Sequence, residues 1–136
     1  MSTFTTYLDN ALIAHALGKT SFTMPTVAVG LSSTLPTIAG TNITEPTIGT
    51  NGYARVATSG LWGAASSGTI LNSGAINFPT STGAWSAGAS QTYLCFYDAT
   101  SGGNLLAFEL ITTAFAVGAA GITPSAAIGQ VSTTIG

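Results

Sequence analysis

The chain has 136 residues, of which six are charged: Asp9, Lys19, Glu45, Arg55, Asp98 and Glu109. Ser and Thr fill 37 positions and Gly 17, while 46% of residues are apolar. Two cations cannot build a phosphate-neutralising patch, so nucleic acid is excluded as a partner. Disorder does not fit a chain with this apolar content and a net charge of −2.

The length suits one domain over residues 1–136. Cys95 is the single cysteine, so no disulfide forms within the chain. Mean hydropathy is +0.49, yet no apolar run approaches the roughly 20 residues of a spanning helix, and no membrane is implied. The N-terminus lacks the basic start of a signal peptide, since Asp9 and His15 precede or interrupt any apolar run before Lys19. A surface with so few charges, built on neutral Ser, Thr and Asn, suits a molecule that packs against copies of itself or against a larger body.

In chain order, residues 3 to 17 read as the one helix. Phe4, Leu8, Ala11, Leu12 and Ala16 make an apolar stripe, Ser2 or Thr3 caps the start, and Gly18 ends it. Short β-type runs follow between Gly, Pro, Asn and Ser clusters. They are Thr26–Leu31, Tyr53–Thr58, Thr69–Leu71, Ala75–Phe78, Gln91–Tyr97, Asn104–Thr112, and two weaker ones near Ala126–Ile128 and Val131–Ile135. A loop over 32–51 separates the first two, and a loop of that length is functional or pinned to a neighbour. Asp98–Gly103 turns the best hairpin, between Gln91–Tyr97 and Asn104–Thr112. The pattern predicts an all-β fold, an antiparallel β-sandwich or jelly-roll-like domain with one N-terminal helix.

Few side chains can carry chemistry. His15 reads as a surface or packing residue on the helix. Cys95 lies between Leu94 and Phe96, where apolar burial raises a thiol pKa and leaves it inert. No two carboxylates fall on one element with glycosidase spacing, and no His/Cys cluster offers a metal site. The nucleophile elbow is absent: Ala84–Gly88 and Ala99–Gly103 begin with Ala and lead into no helix. Catalytic residues, metals and cofactors are therefore expected to be none.

Arg55 stands out, inside a predicted strand of an almost uncharged chain. Its fork suits an ion pair with Asp98, Glu109 or Glu45, an inter-subunit contact, or a ligand. Asp98 begins a turn and can bond the backbone amides that follow. Tyr53 and Trp85, with Trp62, Tyr93 and Tyr97, are the large residues that a small β core needs, and in another arrangement could stack on a sugar.

The order of motifs resembles a family of small tailed-bacteriophage virion proteins often labelled tail fibre proteins. The pieces are Tyr7–Leu12, Met24–Leu31, Ser33–Thr37, the acidic Glu45, Gly52–Arg55, Ile76–Pro79, Trp85 and Asp98–Leu106. Glu45, Arg55 and Asp98 all fall within them. The chain departs from the family pattern at Ser86, where Gly usually follows the Trp, and at Gly121–Pro124. The resemblance implies a non-enzymatic subunit of the virion, assembled in the host cytoplasm with copies of itself and other virion proteins. A place in the tail or neck fibre apparatus, a capsid-decoration role, and a carbohydrate-binding module that reads a host glycan are the three readings left open. The 32–51 loop and the C-terminal tail are the candidates for contacts between subunits.

Overall fold

A computed structural model describes residues 2–135. In chain order the elements are β1 (Thr3–Phe4), α1 (Thr6–Ala16), β2 (Ala28–Ser32), β3 (Val56–Ala57), β4 (Thr69–Leu71), β5 (Ile76–Asn77), β6 (Gln91–Tyr97), β7 (Leu105–Phe115), β8 (Ser125–Ala126) and β9 (Ser132–Thr134). Five strands make an antiparallel sheet in the order β1-β7-β6-β2-β3, and two smaller antiparallel pairs, β4–β9 and β5–β8, complete an all-β sandwich. The β6–β7 hairpin forms where the aromatic, uncharged run meets the Asp98–Gly103 turn. The short pairs have little apolar sequence of their own and depend on packing against the large sheet.

Side chains alternate across β6 as the two-residue period of a strand requires. Leu94 and Phe96 join Val29, Leu31 and Leu106 on one face, where Ile76, Phe78, Val117, Ala126 and Val131 from the smaller layer close the main core. Cys95 and Tyr97 point to the other face and form a second cluster with Leu105 and Phe108, against which Ile43 packs. The long loop thus covers the back of the sheet. Strand β2 is buried along all five residues, which explains its unbroken apolar and small-residue run. The loop is held within its own chain: Thr44 N–H donates to the Ser32 hydroxyl at 3.0 Å, Ser33 N–H to the Thr44 carbonyl at 3.1 Å, and Thr6 N–H to the Ile38 carbonyl at 2.9 Å.

The helix begins later than its apolar stripe predicts. Thr3 and Phe4 pair with Phe108 and Ala107 as an edge strand instead. The cap is Thr5, whose hydroxyl accepts from Leu8 N–H at 3.4 Å and itself donates to the Leu105 carbonyl at 2.7 Å. A buried hydroxyl with partners on both the helix and β7 fixes where one element stops and the next starts. None of the residues of α1 is buried.

The strand expected over 53–58 shrinks to Val56–Ala57, because Tyr53 and Arg55 are drawn into side-chain bonds described below. The hairpin strand runs longer than expected, to Phe115. Polar side chains tie down the C-terminal segment where strands are short. Asn72 donates to the Gly74 and Ala127 carbonyls at 2.9 Å each and accepts from Val131 N–H at 3.0 Å. Ser81 donates to the Ala119 carbonyl at 2.7 Å and accepts from Ile122 N–H at 3.0 Å.

Candidate functional site

The charged residues of the long loop and of the hairpin turn meet on the back face of the sheet. Arg55 leaves the chain just before β3 and extends toward the end of β6. Its guanidinium lies 3.4 Å from the centre of the Tyr97 ring. Nε donates to Glu45 Oε1 at 2.8 Å and Nη2 to Glu45 Oε2 at 2.7 Å, a two-pronged pair. Nη1 donates to the carbonyls of Ala99 at 3.0 Å and Gly102 at 2.7 Å. The two side chains are 5% and 16% exposed, so the pair is shielded from water.

Tyr53 extends the network. Its hydroxyl donates to Glu45 Oε1 at 2.8 Å and accepts from Leu31 N–H at 2.9 Å. The loop, β2, the end of β6 and the hairpin turn are therefore joined through one carboxylate and one guanidinium. Gly30 makes room for them. A methyl group there would stand 2.6 Å from Glu45 Oε1, 3.0 Å from the Tyr53 hydroxyl and 3.2 Å from Arg55 Cγ. A glycine inside a strand marks such a close approach.

The electrostatics follow from burial around one ion pair. Burial works against the charge of Arg55, but the Glu45 carboxylate outweighs it and moves the Arg55 pKa upward. Burial, and then the charge of Glu45, hold the Tyr53 hydroxyl well above the ordinary tyrosine range. Burial also raises Tyr97, with Cys95 and Glu45 adding to it. The Cys95 thiol is pushed up to about 12, first by burial and then by the nearby carboxylate. A thiol in that state is neither a nucleophile nor a metal ligand at neutral pH.

Of the three acids that could pair with Arg55, Glu45 is the one it meets. Asp98 serves its own turn: Oδ1 accepts from Asn104 N–H at 2.7 Å and Oδ2 from Asn104 Nδ2 at 2.9 Å. That turn presents the Ala99 and Gly102 carbonyls to Arg55. Glu109, the third acid offered to Arg55, does not meet it. It is buried, and the Ser2 hydroxyl donates to it at 3.4 Å. It stands opposite Leu94 in the hairpin, hence on the main-core face, whereas Arg55 sits against Tyr97 on the other.

Trp85 is 1% exposed and belongs to the core. Its indole N–H donates to the Asn51 carbonyl at 2.8 Å, and its ring meets Tyr53 edge-on with centroids 5.1 Å apart. Tyr53 and Tyr97 are buried too, so none of these three rings offers a face to a sugar. His15 is exposed at the end of α1, and its Nδ1 accepts from Phe22 N–H at 3.0 Å.

Sequence reasoning missed Gly30, whose place inside an apolar strand was the available signal, and the part that Tyr97 plays beneath Arg55, since Tyr97 read as a core aromatic or a sugar-stacking ring. The arrangement is a staple: the two ions hold each other, the Tyr53 hydroxyl holds Glu45, and fixed backbone carbonyls hold Arg55. Among the described residues, no group of three His, Cys, Asp or Glu side chains could hold a metal ion. No described helix is long and apolar enough to cross a membrane.

A search of curated proteins finds no match. A family model described as podophage GP4 fiber I protein gp80 matches residues 3–134, a span that includes the edge strand, the staple and the short C-terminal strands. The chain belongs to that family of phage fibre proteins.

Proposed function

We propose that this chain is a non-enzymatic structural subunit of a tailed-bacteriophage virion, assembling as a homo-oligomer in the tail or neck fibre apparatus. The family match over residues 3–134 carries the reading. The geometry supports it. The buried ions of the back face hold the fold together, and the surface is largely neutral, so large contacts can form with little charge desolvation.

Capsid decoration is the competing location, since the same neutral β surface would serve on a phage head. Labelling of intact virions with an antibody to this chain separates the two. Label at the tail or neck supports the fibre reading, and label spread over the head replaces it with decoration. A glycan-reading role draws no support from Trp85, because its ring is enclosed. Host glycans tested against the purified oligomer would restore that role only if they bind at another surface.

A further inference from the structure

The β6–β7 hairpin slips out of register in its second half. Tyr93 pairs with Leu110 and Gln91 with Phe115, so one residue of β6 faces four of β7, Ile111 to Ala114. This bulge is anchored at both ends. Ile111 packs on the main core, and Phe115 meets Phe78 edge-on with centroids 6.3 Å apart. Between the anchors, no residue of the bulge has a cross-strand partner among the described residues. Thr112, Thr113 and Ala114 are exposed, and Leu110 is 63% exposed.

Monomeric proteins guard such strand segments with Lys, Pro or inward-pointing charge. The bulge itself carries none of these: no Asp, Glu, Lys, Arg or His occurs from Leu110 onward and the bulge contains no Pro, the buried Glu109 lying just before it. Beside it runs a groove of about 270 Å³, with the bulge as one wall, Ala126, Ala127, Gln130 and Val131 on the other, and the buried Glu109 also in its lining.

We propose that the bulge is where a second copy of this chain docks, the two bulges lying antiparallel and each occupying the groove of the other. The inference rests on the homo-oligomer reading and names its surface. A second copy fits because the bulge and the opposite wall of its groove are uncharged, and the one charged lining residue, Glu109, is already buried within its own chain with a hydrogen bond from Ser2. The antiparallel arrangement about Thr112 sets Thr112 against Thr112, Ile111 against Thr113, and Leu110 against Ala114. These are β-branched and apolar pairs of the kind that stabilise strand pairing.

Two variants of the full chain test this. Thr113→Lys, which sets like charges close together across the two-fold axis, should raise the concentration at which the oligomer dissociates by about tenfold or more, with an unchanged melting temperature for the monomer. Thr112→Cys should form a disulfide-linked dimer on mild oxidation, because the native Cys95 is buried, while Thr100→Cys in the hairpin turn should not. If the parent is oligomeric but Thr113→Lys leaves it so and Thr112→Cys does not cross-link, the interface lies elsewhere and only this inference fails. If the parent is a monomer at every concentration and Thr112→Cys does not cross-link, the homo-oligomer reading fails with it.

Discussion

Glu45 and Arg55 grip each other through two hydrogen bonds of 2.7 and 2.8 Å, although they stand ten residues apart in a segment that is mostly loop. Both carboxylate oxygens are used, and Nη1 is turned toward the Ala99 and Gly102 carbonyls of the hairpin turn. Removing one partner leaves the other charged and enclosed. Arg55→Met should therefore destabilise the fold by about 3–5 kcal/mol, read from urea denaturation. A wild-type midpoint would remove the staple from the account of stability.

Gly30 yields a steric test of the same network. Gly30→Ala adds one methyl group at 2.6 Å from a carboxylate oxygen that two donors, the Tyr53 hydroxyl and Arg55 Nε, already fix in place. Overpacking of this kind costs about 1–3 kcal/mol. The same change at Gly118, where a methyl group would meet nothing within 4 Å, should be close to neutral in the same denaturation series.

Alkaline pH should weaken the fold in a defined order. A group whose pKa is raised in the folded state keeps its proton there after the unfolded chain has lost it, so its stabilising effect is present below the unfolded pKa and lost as pH rises. An unfolded thiol titrates near about 8.5, and folded Cys95 near about 12. Stability should fall across that window, with Tyr53 and Tyr97 adding to the loss above about pH 10. Thermal melts from pH 7 to 11 check this, and Cys95→Ala should delay the onset. A flat profile in the parent would contradict the buried, protonated thiol.

The lone cysteine should also resist labelling. Cys95 has no exposed surface, so a thiol reagent at neutral pH should react only at the rate of unfolding. Rapid labelling of the native protein would show that the loop over the back face opens readily.

Helix α1 has weaker support than the sheet. Thr5→Val removes the cap and the bond to the Leu105 carbonyl while roughly keeping volume, at a cost of about 1–2 kcal/mol. Circular dichroism should show lost helix with the β signal retained. Simultaneous loss of both would mean that α1 folds as one unit with the sheet.

Much of this architecture was legible in the residues. The Gln91–Tyr97 strand and its turn were readable because hydrophobicity, β-propensity and turn chemistry agree there. The helix start was not, because Phe4 fits an amphipathic helix and an edge strand equally well, and only the β7 backbone decides between them. Arg55 could be singled out as the residue that needs a partner. Choosing Glu45 over Glu109 required knowing which face of β7 Glu109 takes, and that depends on hairpin register. The bulge at Ile111–Ala114 was hidden for the same reason, since Leu-Ile-Thr-Thr-Ala reads as uninterrupted strand. The loop over 32–51 was expected to be functional or pinned to a neighbour; within its own chain Ile43 and Glu45 hold it to the sheet, while Leu35, Ile38 and Ile48 stay exposed.

The staple has a mechanical meaning as well. Arg55 joins the loop to the turn at the far end of the longest hairpin by bonds of 2.7 to 3.0 Å that share one guanidinium. A tug on the loop is therefore met by several bonds at once rather than by one after another. Tension entering on the back of the sheet passes into the turn between β6 and β7, the two longest strands of the sheet.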